Sequence, residues 1–308
     1  MARKTAVTPY SQILEEVNEG HSIRKHLYEE LEQQLEHMLH EKCLVIAFFV
    51  SFRFPAVIED QDGDMIEEIL QNSDMAGKRL VLILNSPGGL ALPAERIVNI
   101  CRSHSHGGRF TVIVPKMAKS AATMVCLGAS EICMSPTSEL GPIDPQMPVY
   151  DDQGRLHYQA AHEILRSYNE LMTKANRTKG RIEPYLQQLQ RYDAREIHAT
   201  ISATQLSEKI AITTLRTGMF YGRSASWIRS RIRPFLDPKH TVVHGRPIYR
   251  DLAKQCRLNV RMLGLKSTEW RTVWNLYVRL NHFSTRRVAK VIESLNESYI
   301  ASPIQEGA

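Results

Sequence analysis

Residues 80–89 read Leu-Val-Leu-Ile-Leu-Asn-Ser-Pro-Gly-Gly, an apolar run that ends in a turn. The run has no polar alternation, which predicts a strand buried on both faces, as in a parallel sheet covered by helices. The two glycines predict a sharp turn with unobstructed backbone N–H groups. Similar runs predict strands over 43–52, 110–115 and 131–134, and helical periodicity appears over 65–70 and 92–103. This alternation predicts an α/β fold with a largely parallel sheet.

A second turn follows the next predicted strand. Residues 117–123 read Met-Ala-Lys-Ser-Ala-Ala-Thr, between the strand at 110–115 and a small-residue helix predicted over 121–129. A serine in this place, Ser120, presents its hydroxyl at a helix N-terminus, where N–H groups and the helix dipole stabilise an oxyanion. Because a plain helix N-cap has the same pattern, Ser120 alone does not define a site.

Together the two turns resemble the superfamily of the Clp protease proteolytic subunit and signal peptide peptidase A, which has the crotonase-like fold. In that superfamily a Pro-Gly-Gly-type loop supplies an oxyanion donor, and a later serine followed by small residues is the nucleophile. Gly88 and Ser120 lie 32 positions apart. Residues 127–146, which end in Leu-Gly-Pro-Ile-Asp-Pro-Gln, look like the serine dehydrogenase proteinase branch. Residues 244–260 are similar to the stretch that closes these cores.

The resemblance implies a core of repeated β-β-α units, with helical extensions at both ends of the chain. It divides the chain into an N-terminal helical arm (1–42), a serine peptidase core (43–260) and a C-terminal helical tail (261–308). The arm prediction also has its own support, since apolar residues recur every three or four positions over 11–41. In the tail, helical structure is expected around Trp270 and again over 291–295.

The activity implied by the resemblance is hydrolysis of peptide bonds through an acyl-enzyme on Ser120. The oxyanion hole would consist of the N–H of Ala121 and that of Gly88 or Gly89. No cofactor and no metal ion are expected, because the sequence has no phosphate-binding motif and its histidines do not fall at metal-ligand spacing.

Several residues are candidates for the general base. A histidine placed as in the Clp subunit is not expected, since none occurs between Ser120 and His157. The signal peptide peptidase A branch uses a downstream lysine, and this pattern favours Lys174. The rivals are His162, His244 and Lys119, while Asp144 is interpreted as a structural residue of a proline-flanked turn. The sequence therefore leaves the general base open among these four residues.

Composition limits the partners. Lys and Arg exceed Asp and Glu by 39 to 33, which gives +6, and the local basic run is Arg223, Arg229, Arg231 and Arg233. A solvated helix face explains that run, so no nucleic-acid partner is expected. The five cysteines form no CxxC pair, and no apolar run reaches the ~20 residues of a membrane span. A cytoplasmic protein without a membrane span is predicted.

Further expectations follow from the resemblance. Crotonase-like subunits assemble, so a homo-oligomer is expected, with peptide or protein as substrate and a separate unfoldase or regulator as a possible partner. Two other functions stay open. One is a non-peptidase crotonase-like protein that binds or hydrolyses acyl-CoA, and the other is a catalytically inert scaffold that binds partners through its arm and its Trp-containing tail.

Overall fold

The computed structural model describes residues 20–150, 153, 155–236 and 246–302. The described helices are α1 (His21–Leu39), α2 (Asp60–Gln71), α3 (Ala91–His104), α4 (Ala121–Gly128), α5 (Ala161–Arg177), α6 (Glu183–Leu189), α7 (Ala194–Thr217), α8 (Ala225–Arg231), α9 (Arg233–Leu236), α10 (Arg250–Gln255) and α11 (Thr268–Arg286). The described strands are β1 (Cys43–Val50), β2 (Arg79–Asn85), β3 (Thr111–Val114), β4 (Met117–Ala118), β5 (Glu131–Met134), β6 (Glu139–Leu140), β7 (Gln146–Tyr150), β8 (Leu156–Ala160), β9 (Ile248–Tyr249), β10 (Val260–Met262), β11 (Lys290–Glu293) and β12 (Ser298–Ala301).

The centre of the fold is a mostly parallel sheet of seven strands in the order β10-β5-β3-β2-β1-β11-β12. Strands β10, β5, β3, β2 and β1 run parallel, whereas β11 is antiparallel to both β1 and β12. The four runs predicted as strands form β1, β2, β3 and β5. The predicted mixed α/β fold with a mostly parallel central sheet is therefore confirmed.

Helices pack on both faces of the sheet, so its strands are buried on both sides. On one face, side chains such as Ile46 and Leu82 pack against α2, α3 and α4. On the other, Val45 and Ile83 pack against α1 and α11. Every residue of β1 is buried. Burial on both faces explains why β1 and β2 read as continuous apolar runs.

The N-terminal helix packs on the sheet, and one side of α1 buries Leu27, Leu31, Leu35 and Leu39. The remainder of the predicted arm, residues 1–19, lies outside the described residues. An ion pair fixes the helix, since Arg24 donates two hydrogen bonds of 2.7 Å to the Glu293 carboxylate of β11. Helix α1 is thus bound to the last part of the described chain.

The C-terminal segment contains the expected helix, α11, and also two strands that complete the sheet. The helical expectation for 291–295 is wrong, because Lys290–Glu293 forms β11 beside β1. Apolar residues at 291, 292 and 295 fit helical spacing as well as a short strand, so periodicity could not distinguish them. Three strands of the central sheet, β10, β11 and β12, therefore begin at or after residue 260, where the sequence predicts the end of the core.

In the chain, a smaller unit is inserted between β5 and β10. Strands β7 and β8 form an antiparallel hairpin that leads directly into α5. Helices α6 and α7 are separate, because Asp193 caps α7 by accepting the Arg195 N–H at 2.7 Å. An N-cap begins a helix in non-helical backbone, so the two helices cannot be continuous.

Candidate active site

Ser120 lies between β4 and α4, as the sequence predicts. Its backbone has φ 49° and ψ −119°, a conformation that residues other than glycine rarely adopt. The hydroxyl makes no cap hydrogen bond to the helix that it precedes. The N-cap interpretation therefore does not account for Ser120, and such strain is commonly found at functional sites.

Hydrogen bonds from two segments hold the sharp turn at residues 118–121, which we call the elbow. Ser86 donates its N–H to Met117 O at 3.1 Å and accepts the Lys119 N–H at 3.0 Å. The Thr123 hydroxyl donates to Ala118 O at 2.7 Å and accepts the Gly141 N–H at 3.0 Å. The backbone of Ser120 is thus fixed between the Pro-Gly-Gly turn and the segment that follows β6.

The Pro-Gly-Gly turn contacts the elbow directly. Gly88 has φ 109°, and a Cβ atom there would lie 2.6 Å from Lys119 O and 2.7 Å from Ser120 Cβ. Only glycine permits both this conformation and this approach. The predicted meeting of the two turns is therefore present in the structure.

The two glycines differ in what their N–H groups face. The Gly88 N–H donates to Ser86 Oγ at 3.0 Å. Ile58 pairs with Gly89 as in a parallel sheet, through Ile58 N–H to Gly88 O at 2.8 Å and Leu90 N–H to Ile58 O at 2.9 Å. Because backbone groups alternate between the two edges of a strand, the N–H of Gly89 points away from Ile58. The geometry favours Gly89 over Gly88 as an oxyanion donor.

Ala121 has a backbone N–H close to the glycine turn, since a Cβ atom at Gly88 would lie 3.2 Å from Ala121 N. It is the first residue of α4 and is buried. The first N–H groups of a helix have no acceptor within the helix, and the helix dipole makes that end favourable for negative charge. An oxyanion formed beside Ser120 would meet this helix end.

Lys119 forms an ion pair with a residue of β6. Its Nζ donates to Glu139 Oε2 at 2.7 Å and to Leu140 O at 3.2 Å. The side chain also lies against Gly141, where an added Cβ would come within 2.9 Å of Lys119 Cδ. These contacts connect β4 to β6 and give Lys119 a structural role.

A histidine and a buried aspartate form a pair beyond β6. His162, in the first turn of α5, has its Nδ1 2.8 Å from Asp144 Oδ2, and Asp144 is only 4% exposed. A carboxylate accepts at this distance, so Nδ1 carries the hydrogen and Nε2 is left as the basic nitrogen. The Ala161 N–H donates to Pro145 O at 2.8 Å, which fixes the start of α5 beside Asp144.

The segment that carries Asp144 is connected to the Ser120 turn through β6. Strand β6 runs beside β4, and Gly141 is bonded to Thr123 of α4. Asp144 follows Gly141 by three residues, so the Cα atoms of Gly141 and Asp144 are at most ~11 Å apart. Sequence analysis named His162 but interpreted Asp144 as structural, because the contact between them spans a hairpin that no short motif reveals.

The other base candidates are placed differently. Lys174 is exposed and lies on α5 about 18 Å further along the helix than His162, at 1.5 Å per residue. His244 lies outside the described residues. Sequence analysis missed the contributions of Ser86 and Ile58. The serine before Pro-Gly-Gly was a visible signal for the first, whereas the second depends on a contact between distant segments.

Cysteine chemistry is excluded by burial. All five thiols are free and buried. Burial raises the pKa of Cys101 to about 12 and that of Cys256 to about 11. A thiol with such a pKa is almost wholly protonated at neutral pH, so it is a poor nucleophile and a poor metal ligand. Within the described part of the chain, no group of three or more His, Cys, Asp or Glu residues is arranged to hold a metal ion.

Comparison with known proteins defines the class. The model of a family of ClpP-like serine proteinases matches residues 7–169, more than half of the chain. The chain belongs to this family, that of the ClpP-like SDH-type serine proteinases.

Two curated relatives, both uncharacterized proteins of Methanocaldococcus jannaschii, match part of the chain. One is 41% identical over 93 residues, 30% of each protein. The other is 36% identical over 115 residues, which are 37% of this chain and 38% of the relative. The matches span about a third of the length of these relatives.

Two solved structures of a membrane-bound stomatin-specific protease are also similar. A serine-to-alanine mutant is 16% identical with a TM-score of 0.30, covering 46% of this chain and 68% of that chain. A lysine-to-alanine mutant in complex with a substrate peptide is 13% identical with a TM-score of 0.30, covering 77% and 98%. In the present protein, no helix among the described residues has the length and apolarity needed to cross a membrane.

Proposed function

We propose that the protein is a serine peptidase that hydrolyses peptide bonds through an acyl-enzyme on Ser120. The observation that carries the proposal is the strained backbone of Ser120 at the start of α4, against the Gly88 turn. Family membership supports the same reaction class. A hydroxyl at the start of a helix, next to N–H donors, is what acyl transfer requires, and this supports the proposal.

The mechanism follows from the two donors and the His162–Asp144 pair. Ser120 Oγ attacks the scissile carbonyl carbon while His162 Nε2 takes the hydroxyl proton. The oxyanion is stabilised by the N–H groups of Gly89 and Ala121. His162 then gives the proton to the departing amine, and a water molecule, deprotonated by the same histidine, releases the acyl group. Asp144 stabilises the imidazolium form.

We assign the base to His162 rather than to Lys174 or Lys119, and His244, outside the described residues, stays an alternative. Asp144 orients the imidazole and leaves Nε2 available, whereas the Lys119 ammonium is paired with Glu139. The exposed Lys174 has no comparable setting, since a catalytic lysine needs burial or neighbouring cations to lose its proton at neutral pH.

The test is labelling by a fluorophosphonate probe combined with peptide hydrolysis. Ser120→Ala is expected to abolish both. His162→Ala and Asp144→Asn should each slow acylation by about 10²–10⁴-fold, with circular dichroism used to show that the fold persists. Lys174→Ala serves as the control and should retain wild-type rates.

Other outcomes decide between functions. Labelling that persists in Ser120→Ala would rule out Ser120 as the nucleophile, and loss of activity in Lys174→Ala alone would return the base to the lysine. Absence of hydrolysis together with a thermal shift on adding acyl-CoA would favour the non-peptidase alternative. An unchanged biological phenotype in Ser120→Ala would favour the inert scaffold.

Assembly is part of the proposal. The hairpin and the helices that follow it expose large apolar side chains, with Tyr158 67%, Leu186 46% and Met172 36% exposed. We propose that these side chains form one surface that contacts a second copy of the chain, because an exposed apolar patch commonly marks an interface. Light scattering should show an oligomer that Tyr158→Asp weakens. A cytoplasmic location and a separate unfoldase remain predictions.

A further inference from the structure

Lys290 of β11 is the one buried lysine among the described residues. It is 5% exposed, and its Nζ donates to the Glu59 carboxylate and to Asp62 Oδ1 and Oδ2, at 3.1 and 3.2 Å for the two Asp62 atoms. Asp62 is itself only 1% exposed. A buried lysine is tolerated only where its charge is paired, so Lys290 and Asp62 depend on each other.

The two carboxylates define the start of α2. Glu59 is the N-cap and Asp62 the third residue of a capping box, in which each side chain accepts the other residue's backbone N–H. The Glu59 N–H donates to Asp62 Oδ2 at 2.8 Å. Lys290 therefore holds both partners of this box, and with them the position of residue 59.

The residue immediately before this cap is Ile58, which holds the glycine turn. Its N–H and carbonyl bond Gly88 O at 2.8 Å and the Leu90 N–H at 2.9 Å. At Gly89 a Cβ atom would come within 2.2 Å of Ile58 N, so the two backbones are in direct contact. The position of the Gly89 N–H is set by Ile58.

We propose that Lys290 is a positioning residue for the oxyanion hole. It acts through Glu59 and Asp62 on Ile58, and through Ile58 on the direction of the Gly89 N–H. The proposal rests on the proposed function for its catalytic consequence, but the structural connection can be tested without it. It gives the C-terminal strand, outside the 7–169 family match, a part in the active site.

The expected effect of removing Lys290 is on the rate of the chemical step. Without the ammonium, Asp62 is left buried and unpaired, and the cap of α2 relaxes. Ile58 then loses its fixed register with the turn, and the Gly89 N–H is displaced from the oxyanion. Such a donor acts mainly in the transition state, so kcat should fall while KM changes little.

The experiment compares Lys290→Met with Arg24→Met. Arg24 of α1 forms another buried ion pair to β11, with Glu293, and α1 packs on the face of the sheet opposite to α2. Lys290→Met should lower kcat for a peptide substrate at least tenfold, and by no more than the ~10²–10³-fold loss that removal of a whole donor causes. Lys290→Arg should restore most of the rate. Arg24→Met should stay within about twofold of wild type at a temperature where all variants are folded.

Amide hydrogen exchange supplies the second measurement. In Lys290→Met the N–H groups of Ile58 and Leu90 should exchange faster than in wild type, and in Arg24→Met they should not. If the wild type lacks peptidase activity, the proposed function fails, but the exchange comparison still decides the connection. Equal exchange in the two variants, or an equal loss of kcat, would overturn the proposal.

A milder variant covers the case in which Lys290→Met does not fold. The Glu59 side chain is 50% exposed, so Glu59→Gln weakens the pair with Lys290 without leaving a buried charge. It should raise exchange at Ile58 and Leu90 with little change in melting temperature. Unaltered exchange in Glu59→Gln, with Lys290→Met unfolded, would also refute the proposed connection.

Discussion

At the scale of single residues, Ser120 carries the clearest departure from ordinary backbone geometry. A non-glycine residue at φ 49° and ψ −119° costs about 1–3 kcal/mol, which surrounding contacts must offset. The hydrogen bonds of Lys119 and Thr123 on either side supply that support. The strain keeps the hydroxyl out of the helix cap and available for reaction.

Gly88 gives the first prediction at this scale. Gly88→Ala places a Cβ 2.6 Å from Lys119 O and adds the cost of a positive φ. Unfolding stability should fall by more than the ~1 kcal/mol expected from backbone strain alone, and fluorophosphonate labelling of Ser120 should be lost. Chemical denaturation and probe labelling measure the two effects.

Gly77→Ala is the matched control. Gly77 also has a positive φ, 68°, but nothing lies within 4 Å of an added Cβ. It should show the backbone cost alone, with labelling unchanged. If Gly88→Ala behaved like Gly77→Ala, the close contact between the turn and Ser120 would be refuted.

The sequence predicts some site residues better than others, for a physical reason. Ser120 and the two glycines lie in short motifs, where turn chemistry and a strand-to-helix junction are visible locally. The Asp144 contact with His162 and the Ile58 contact with Gly89 join segments far apart in the chain. Since local patterns carry no information about such pairing, only the structure could reveal these contacts.

At the scale of elements, helix α1 is held on β1 by more than apolar packing. Glu32 of α1 accepts the Val45 N–H at 2.9 Å. Burial raises the pKa of the Glu32 carboxyl, and the Val45 bond opposes part of that increase. Packing of α1 on the sheet therefore buries the Glu32 carboxyl, and burial makes its charged form less favourable.

This carboxylate predicts a pH effect. A carboxyl whose pKa is raised by folding stabilises the folded chain below its ordinary pKa, and this contribution is lost as pH rises through the raised value. Glu32→Gln keeps an acceptor for Val45 but does not titrate. The free energy of unfolding of Glu32→Gln, relative to that of wild type, should therefore increase as pH rises from about 4 to 8.

Urea unfolding across that range measures the difference. Glu170→Gln, at an exposed glutamate of α5, is the control. A difference between Glu32→Gln and wild type that shrank with rising pH would contradict the assignment.

Element prediction succeeded where burial produced long apolar runs and failed where it did not. Strands β1 and β2 are continuous apolar sequences, and their type follows from that pattern. Strand β11 carries Lys290 and Glu293, both buried because they are paired with other segments. A charged residue paired across the fold reads locally as an exposed one, which is why the helical interpretation of this segment was wrong.

At the scale of the whole molecule, the sheet joins early and late parts of the chain. Strand β11 lies beside β1, and α1 packs against α11 on one face. The helical arm and tail thus cover the core. This arrangement weighs against the scaffold alternative for Trp270, which is 4% exposed and belongs to the apolar layer.

Truncation provides the prediction at this scale. A chain ending at residue 287 lacks β11 and β12, so one edge of the wholly apolar β1 has no partner. Unpaired apolar edges associate, and the soluble yield should fall severalfold, with aggregates on size-exclusion chromatography. A chain ending at residue 302 keeps every described strand and should remain soluble. Equal yields would show that β11 is dispensable.

The pairing of β1 with β11 also sets a delay during synthesis. Val50 and Lys290, which face each other across this pair, are 240 positions apart in the chain. At ~5–20 residues per second, a ribosome needs roughly 10–50 s to reach the second after the first. The nascent protein must keep its most apolar strand half-partnered for that interval, which makes β1 the segment most in need of a chaperone.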